Sequence, residues 1–249
     1  MLVSITRVEL AKRHAGSVLG AAWLLLQPAL LLSVYLFVYM VVFKFRFPGY
    51  SRFDYVLYVF CGLVPYLGFM EALTSGGLSI KQNIHLVKNV MLPIELIPVR
   101  SVFVGMSGQF FSLAIVLVLS ALSGSLTIRV LLLPVAVLLE VLLLAGLTWI
   151  LASLTVALPD VTYFVNLFLL LLMFVSPIPF RPEMVPPTLK VALYLNPIFY
   201  MTQTFRSTLL AGEHASVAIW IVYAALSIGL FVFGGAFFLM FKDVLVDYE

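Results

Sequence analysis

Apolar residues run along this chain in blocks long enough to cross a bilayer, and the polar residues gather between the blocks. A hydrocarbon core of about 30 Å takes about 20 residues of helix. Six blocks reach or approach that length, near 23–43, 55–73, 101–122, 131–157, 161–176 and 217–241. The fifth is short and runs into a cluster of prolines. The long two-residue alternation of a transmembrane β-barrel is absent, so helices are the spanning structure that satisfies each backbone amide in lipid. The pattern predicts an all-α integral membrane protein with six transmembrane helices in a single domain, 1–249.

Three segments break this pattern. Residues 1–22 set Leu2, Ile5, Val8, Leu10, Val18 and Leu19 among Arg7, Glu9, Lys12, Arg13 and His14, which predicts an amphipathic helix lying in the membrane interface. The first apolar run follows that polar stretch and continues for a full span, so the pattern is not that of a cleavable signal peptide. Residues 80–100, "IKQNIHLVKNVMLPIELIPVR", carry Lys81, Gln82, Asn83, His85, Lys88 and Asn89 and then two prolines. That stretch is too polar for lipid and too patterned for a simple turn. Residues 177–216 hold prolines at 177, 179, 182, 186, 187 and 197. Their moderately apolar pieces, 188–195 and 198–211, are too short to span. They predict two short re-entrant or interfacial helices, since proline ends helices and fixes turns.

Composition sharpens the class. The chain is 63% hydrophobic and 10% charged, with a mean hydropathy of +1.17, against roughly half and a quarter in soluble domains. A formal net charge of +3 suggests neither a nucleic-acid partner nor a polybasic lipid anchor. Cys61 is the single cysteine, so no intrachain disulfide forms. Charge does not orient the spans. With the termini inside, Arg7, Lys12, Arg13, Lys81, Lys88, Arg100 and Lys242 face Lys44, Arg46, Arg52, Arg129, Arg181, Lys190 and Arg206, seven against seven, and the positive-inside rule is silent.

The chemistry a membrane chain can carry starts with its buried acids. Glu140 lies mid-span and Glu71 near the end of the second span; each is a proton-relay or substrate contact, or a structural hydrogen bond between helices. His14, His85 and His214 are scattered without metal-ligand spacing, so no metal site is expected. There is no GxSxG, HExxH or GxxxxGK[ST], so the chain is not expected to be an enzyme or to hydrolyse nucleotides. Energy for pumping would come from a gradient or another subunit. Tyr35, Tyr39 and Phe43 repeat at i, i+4 on the first span, and Phe164 and Phe168 on the fifth. Such faces stack on sugar rings in a pore, or pack against helices and lipid.

Four stretches, "KRHAGSVLGAAWLLLQPAL" (12–30), "LVKNVMLPIELIPVRSV" (86–102), "LPDVTYFVNLFLLLLMFVSPIPF" (158–180) and "LNPIFYMTQTFRSTLL" (195–210), stand in an order that resembles the membrane permease of type-2 ABC exporters. The likeness covers the chain nearly end to end and is nearest to the branch exporting O-antigen, capsule and teichoic acid. It implies that residues 80–92 form a cytoplasmic coupling helix docked on a separate ATPase. Lys81, Gln82, Asn83, His85, Lys88 and Asn89 would give the polar docking surface. Ile84, Leu86 and Val87 would pack into the ATPase cleft or against the N-terminal helix, and Pro93 and Pro98 would end the helix. It further implies a homodimer with two ATPase copies that carry ATP and Mg, no cofactor in this chain, and no nucleic acid. The cargo would be a lipid-linked polysaccharide moving within membrane lipid. The chain would sit in a bacterial inner membrane with both termini cytoplasmic. Spans one and five would meet at the seam. Residues 177–216, with Pro177, Pro179, Arg181 and Arg206, would form an extracytoplasmic gate, the arginines meeting phosphate or acidic sugars or anchoring the interface. Two alternatives stay open: a type-2 permease for another lipid or a drug, and a gradient-driven transporter using Glu140.

Overall fold

The computed structural model describes residues 19–42, 51–83 and 93–247. The interface helix expected over 1–22 therefore falls almost wholly outside the described residues, and so does 84–92 of the coupling segment.

The described chain is helical. Helix α1, Trp23–Phe37, continues into a wider π turn, Val38–Val42. It is followed by α2, Arg52–Gly77; a single turn α3, Ser79–Gln82; α4, Leu96–Gly105, leading almost directly into α5, Ser107–Leu122; α6, Leu133–Ala157; and α7, Val161–Val175. Two short helices, α8 (Lys190–Leu195) and α9 (Pro197–Leu209), precede the long α10, Val217–Asp247. Four segments are long and apolar enough to cross a membrane: Phe53–Gly77, Leu96–Leu122, Ile128–Ala157 and Val217–Lys242. The other two expected spans, α1 and α7, are 15 residues each as regular α-helix; α7 stops at Ser176–Pro177, where the ring of proline forbids a further turn.

Local chemistry sets the helix ends. Ser51 caps α2 by accepting from the Asp54 amide while Asp54 reaches back to the Ser51 amide, a reciprocal box that satisfies two orphan donors. Asn196 caps α9 by accepting from the Ile198 amide, with Pro197 in the first turn. At the end of α5, Gly124 takes φ +68°. The Ser125 amide donates to Ser120 O (3.0 Å) and the Gly124 amide to Ala121 O (3.1 Å), a closure that needs the left-handed residue between them. Pro98 does not end a helix: it lies buried in the first turn of α4, where its missing N–H costs nothing.

Helix α2 is the axis of the bundle. Leu57, Cys61, Leu63, Tyr66 and Ala72 on it are fully buried, and α4, α5, α6, α7 and α9 all pack on it. In lipid there is little hydrophobic drive between helices, so close approach at small residues holds a bundle together. A Cβ on Gly105 would lie 2.5 Å from the Ala72 Cα, and one on Gly146 would lie 2.2 Å from the Leu230 carbonyl oxygen. Gly234 meets Gly146 in the same way, so α6 and α10 run with their backbones in contact. Those two helices are parallel: Arg129, ahead of α6, bonds Ala211 O and Glu213 O ahead of α10, and Ala152 and Val156 share a cluster with Phe238 further along.

The bundle thus has two distinct ends. One gathers the start of α2, the 123–129 turn and residues 177–216. The other gathers α3, the start of α4 and the far end of α10, where Lys242 Nζ meets Glu95 Oε1 at 3.1 Å.

Candidate functional site

At the first end a bent strap, 176–180, is tied to the axis by hydroxyls and one arginine. The Tyr55 hydroxyl donates to Pro179 O (3.1 Å) and the Tyr58 hydroxyl to Phe180 O (3.2 Å). About two turns deeper, the Tyr66 hydroxyl donates to Leu169 O and pins α7. Asn196 Nδ2 donates to Ser176 Oγ at 2.9 Å. Pro177 is buried.

Arg206, on α9, is fully buried. Its Nε donates to Tyr58 O (3.2 Å), Nη1 to the Tyr58 hydroxyl (2.9 Å) and Nη2 to Ile178 O (2.7 Å), and its guanidinium carbon stands 3.7 Å from the Tyr58 ring centroid. Gly62 makes the room, for a Cβ there would lie 2.7 Å from Nη2. Arg206 is therefore an internal strut, and the expected role as an anion contact in the gate does not hold for its side chain as placed. Arg181 is partly exposed but also engaged, its Nη2 sitting 2.7 Å from Glu213 Oε1. The two short helices differ: α9 is buried along most of its length between α2, α6 and α10, with Tyr200 partly exposed, while α8 exposes Val191, Tyr194 and Leu195.

At the opposite end α3 splits its faces. Ile80 is buried with Ile94, Ile97, Ala152, Val156 and Phe238. Lys81 and Gln82 are exposed. Asn83 turns inward: its Nδ2 donates to Ser79 O (2.8 Å) and its Oδ1 accepts from Arg100 Nη2 (2.9 Å). Glu95, at the start of α4, holds Lys242 and accepts at its carbonyl from Trp149 Nε1 (2.9 Å). Ile84, His85, Leu86, Lys88 and Asn89 lie outside the described residues.

The expected pore aromatics divide. On α7, Phe164 and Phe168 are exposed together with Tyr163, Leu167, Leu171 and Phe174, a broad apolar face with no neighbour among the described residues. Tyr35 and Tyr39 lie on α1 and its π turn, and Phe43 lies outside the described residues. The two acids are not brought together. Glu140 is fully buried, and Gln109 Nε2 donates to its Oε2 at 2.5 Å. Gly68 clears the space for Gln109, whose Oε1 would lie 1.8 Å from a Cβ there. Glu71 is half-buried near the far end of α2, and its backbone carbonyl accepts from Ser75 Oγ at 2.8 Å. Sequence reasoning missed Tyr58, Tyr55 and Asn196, which hold the strap; the Asn196–Pro197 pair marks a helix start, but nothing local marks the contacts of the three to the strap, whose residues lie 20 or more positions away.

A helical chain with several helices long and apolar enough to cross a membrane, a polar elbow at one end and a pinned strap at the other is a multi-pass membrane protein. Residues 2–210 match the ABC-2 type transporter family, and the chain belongs to it. Among named relatives, the O-antigen export system permease protein RfbA of Myxococcus xanthus is 28% identical over 242 residues, covering 92% of this chain and 90% of that protein. Two proteins of the same name from Klebsiella pneumoniae are each 25% identical, covering 94% of this chain and 90% of their own length.

Proposed function

We propose that this chain forms the transmembrane pore of an ATP-driven exporter that moves a lipid-linked, O-antigen-like polysaccharide across a bacterial inner membrane. The similarity to O-antigen export permeases along nearly the whole chain carries this reading. The chain works as a single permease domain with six crossings, α1 and α7 among them, and both termini in the cytoplasm. Residues 1–22 lie in the interface, 80–92 couple to the ATPase, and 177–216 close the outer end.

Force enters at α3. Exposed Lys81 and Gln82 face the partner, while Ile80 in its apolar socket and Asn83 on Arg100 transmit the push to α4 and α2. ATP and Mg are bound and hydrolysed on two copies of a cytoplasmic ATPase. The strap held by Tyr55, Tyr58 and Arg206 ties the outer end to the same axis helix, so that movement of α2 reaches both ends. Two copies enclose the pore. The exposed Phe164 and Phe168 face of α7 supports this, since two such faces bury each other or line a path on which sugar rings stack. The first test is purification in mild detergent followed by reconstitution with whatever ATPase comes with it. ATP-dependent translocation of a lipid-linked glycan is the expected result. A chain that comes without an ATPase even after crosslinking through 81–89, and whose transport survives ATP depletion, would refute the reading.

A further inference from the structure

The first end of the bundle holds a cavity of about 440 Å³ between the 182–183 turn, α8, α9 and the first turns of α10. One wall is aromatic, and the α10 side, Ala218, Ile219 and Val222, is aliphatic. Tyr194 and Phe199 meet edge to face at 5.4 Å and 84°, and Phe199 and Tyr200 at 5.0 Å and 78°, so the three rings form fixed corners. The Tyr200 hydroxyl is committed to Tyr194 O at 2.8 Å, which locks that ring. Gln203 stands in the floor, 7% exposed, and among the described residues its amide has no hydrogen-bond partner. Glu183, Glu213 and His214 supply the rim, with Glu213 oriented by Arg181.

This mixture selects among ligands. A phosphate wants donors, but no lysine or arginine lines the groove and the Glu183 carboxylate repels it. An ammonium wants acceptors and an aromatic cage, and leaves the Gln203 and His214 donors idle. A polyol uses the polar groups and the rings together: its hydroxyls donate to Glu183 and Glu213 and accept from Gln203 and His214, and the apolar face of its ring lies on tyrosine. The volume falls within the usual range for small-ligand sites. We propose that this cavity is a neutral-pyranose subsite at the outer end of the protein, set apart from the exposed α7 face, where it holds a sugar unit of the emerging chain. The site's role in export rests on the transport reading above; its capacity to bind sugar does not.

The test is saturation-transfer NMR on the full chain in lipid nanodiscs, with D-galactose, D-mannose or N-acetylglucosamine offered singly at millimolar concentration. Transfer to at least one sugar is expected, with binding weakened roughly tenfold or more by Glu183→Gln and by Tyr194→Ala. Both side chains are exposed, so neither change threatens the fold. No transfer to any of the three sugars, or transfer that both variants leave intact, overturns the subsite. A co-purified phospholipid seen by native mass spectrometry and released by the same two variants also overturns it and gives the groove to lipid. Co-purification of an ATPase is scored separately. An ATPase without sugar binding removes the subsite and leaves the export reading standing, whereas sugar binding without an ATPase does the reverse.

Discussion

Arg206 shows what the amino-acid order conceals at the scale of one residue. In the sequence it is a cation at the end of a moderately apolar stretch. In the structure its donors are spent on Tyr58, 148 positions away, and on Ile178, 28 away. Arg181 and Arg129 are likewise engaged, on Glu213 and Ala211. No local spacing reveals such partners, which is why the structural use of Arg206 is not legible in the sequence. Arg206→Ala opens a cavity and strands the Ile178 carbonyl, so it should lower stability by about 3 kcal/mol or more, read as thermal unfolding in detergent. Arg206→Lys keeps the charge, loses the fork, and should recover only part of the loss. If Arg206→Ala melts with the parent, the strut has no structural weight. Glu140 is the opposite case, for the sequence marked it as a buried acid and the structure gives it one donor, Gln109. Glu140→Gln keeps the shape and the acceptor, so export in reconstituted vesicles should stay within about twofold. Loss of export in that variant would point to a proton carried through the membrane and to the gradient-driven alternative.

At the scale of elements, hydrophobic blocks found the helices well, because a span in lipid must be both long and apolar. Ends were harder. Pro98 reads as a stop, yet a first-turn proline is harmless and α4 begins at Leu96. The tight pairing of α6 with α10 was not legible either, since glycines occur throughout the chain and the partner backbone decides which of them matter. A matched pair within α10 and α6 tests this. At Gly146 an added methyl meets the Leu230 backbone at 2.2 Å, whereas at Gly229 it meets nothing within 4 Å. Gly146→Ala should cost about 1–3 kcal/mol by overpacking, and Gly229→Ala should be neutral or slightly stabilising. Both are read as monodisperse yield and melting point after extraction. Equal behaviour of the two would mean that the crossing tolerates separation. For α3, the sequence singled out the polar run and the structure adds its buried anchor, Ile80. Charge reversal at Lys81 and Lys88 should lower export while membrane insertion and melting hold, and normal export would remove those lysines from the coupling surface.

The orientation of the whole molecule is where sequence reasoning stalled, at seven cations against seven. Burial leaves the tie in place, at six against six. Arg100 and Arg206 are inside the protein and drop out of the loop count, one from each side, and Arg181 and Arg129 at the strap end are held in internal bonds. Cations used as struts say little about which way loops face, because the rule concerns charges free to resist translocation. Geometry defines the two ends to be told apart: Lys81, Glu95 and Lys242 share one, and Asp54, Ser125, Arg181 and Glu213 share the other. Sidedness can therefore be measured with two probes in one background. Cys61 is the single cysteine and is fully buried, so it should stay silent to membrane-impermeant thiol reagents in the folded protein. Gln82→Cys and Thr188→Cys place exposed thiols at opposite ends. In intact cells Thr188→Cys should be modified from outside, while Gln82→Cys should react only after the membrane is opened. The reverse pattern would put the coupling segment outside, where no ATP is available, and would end the export reading. Labelling of both from one side would contradict the bundle itself, because Ile80 and the 176–180 strap are fastened near opposite ends of the same helix, α2.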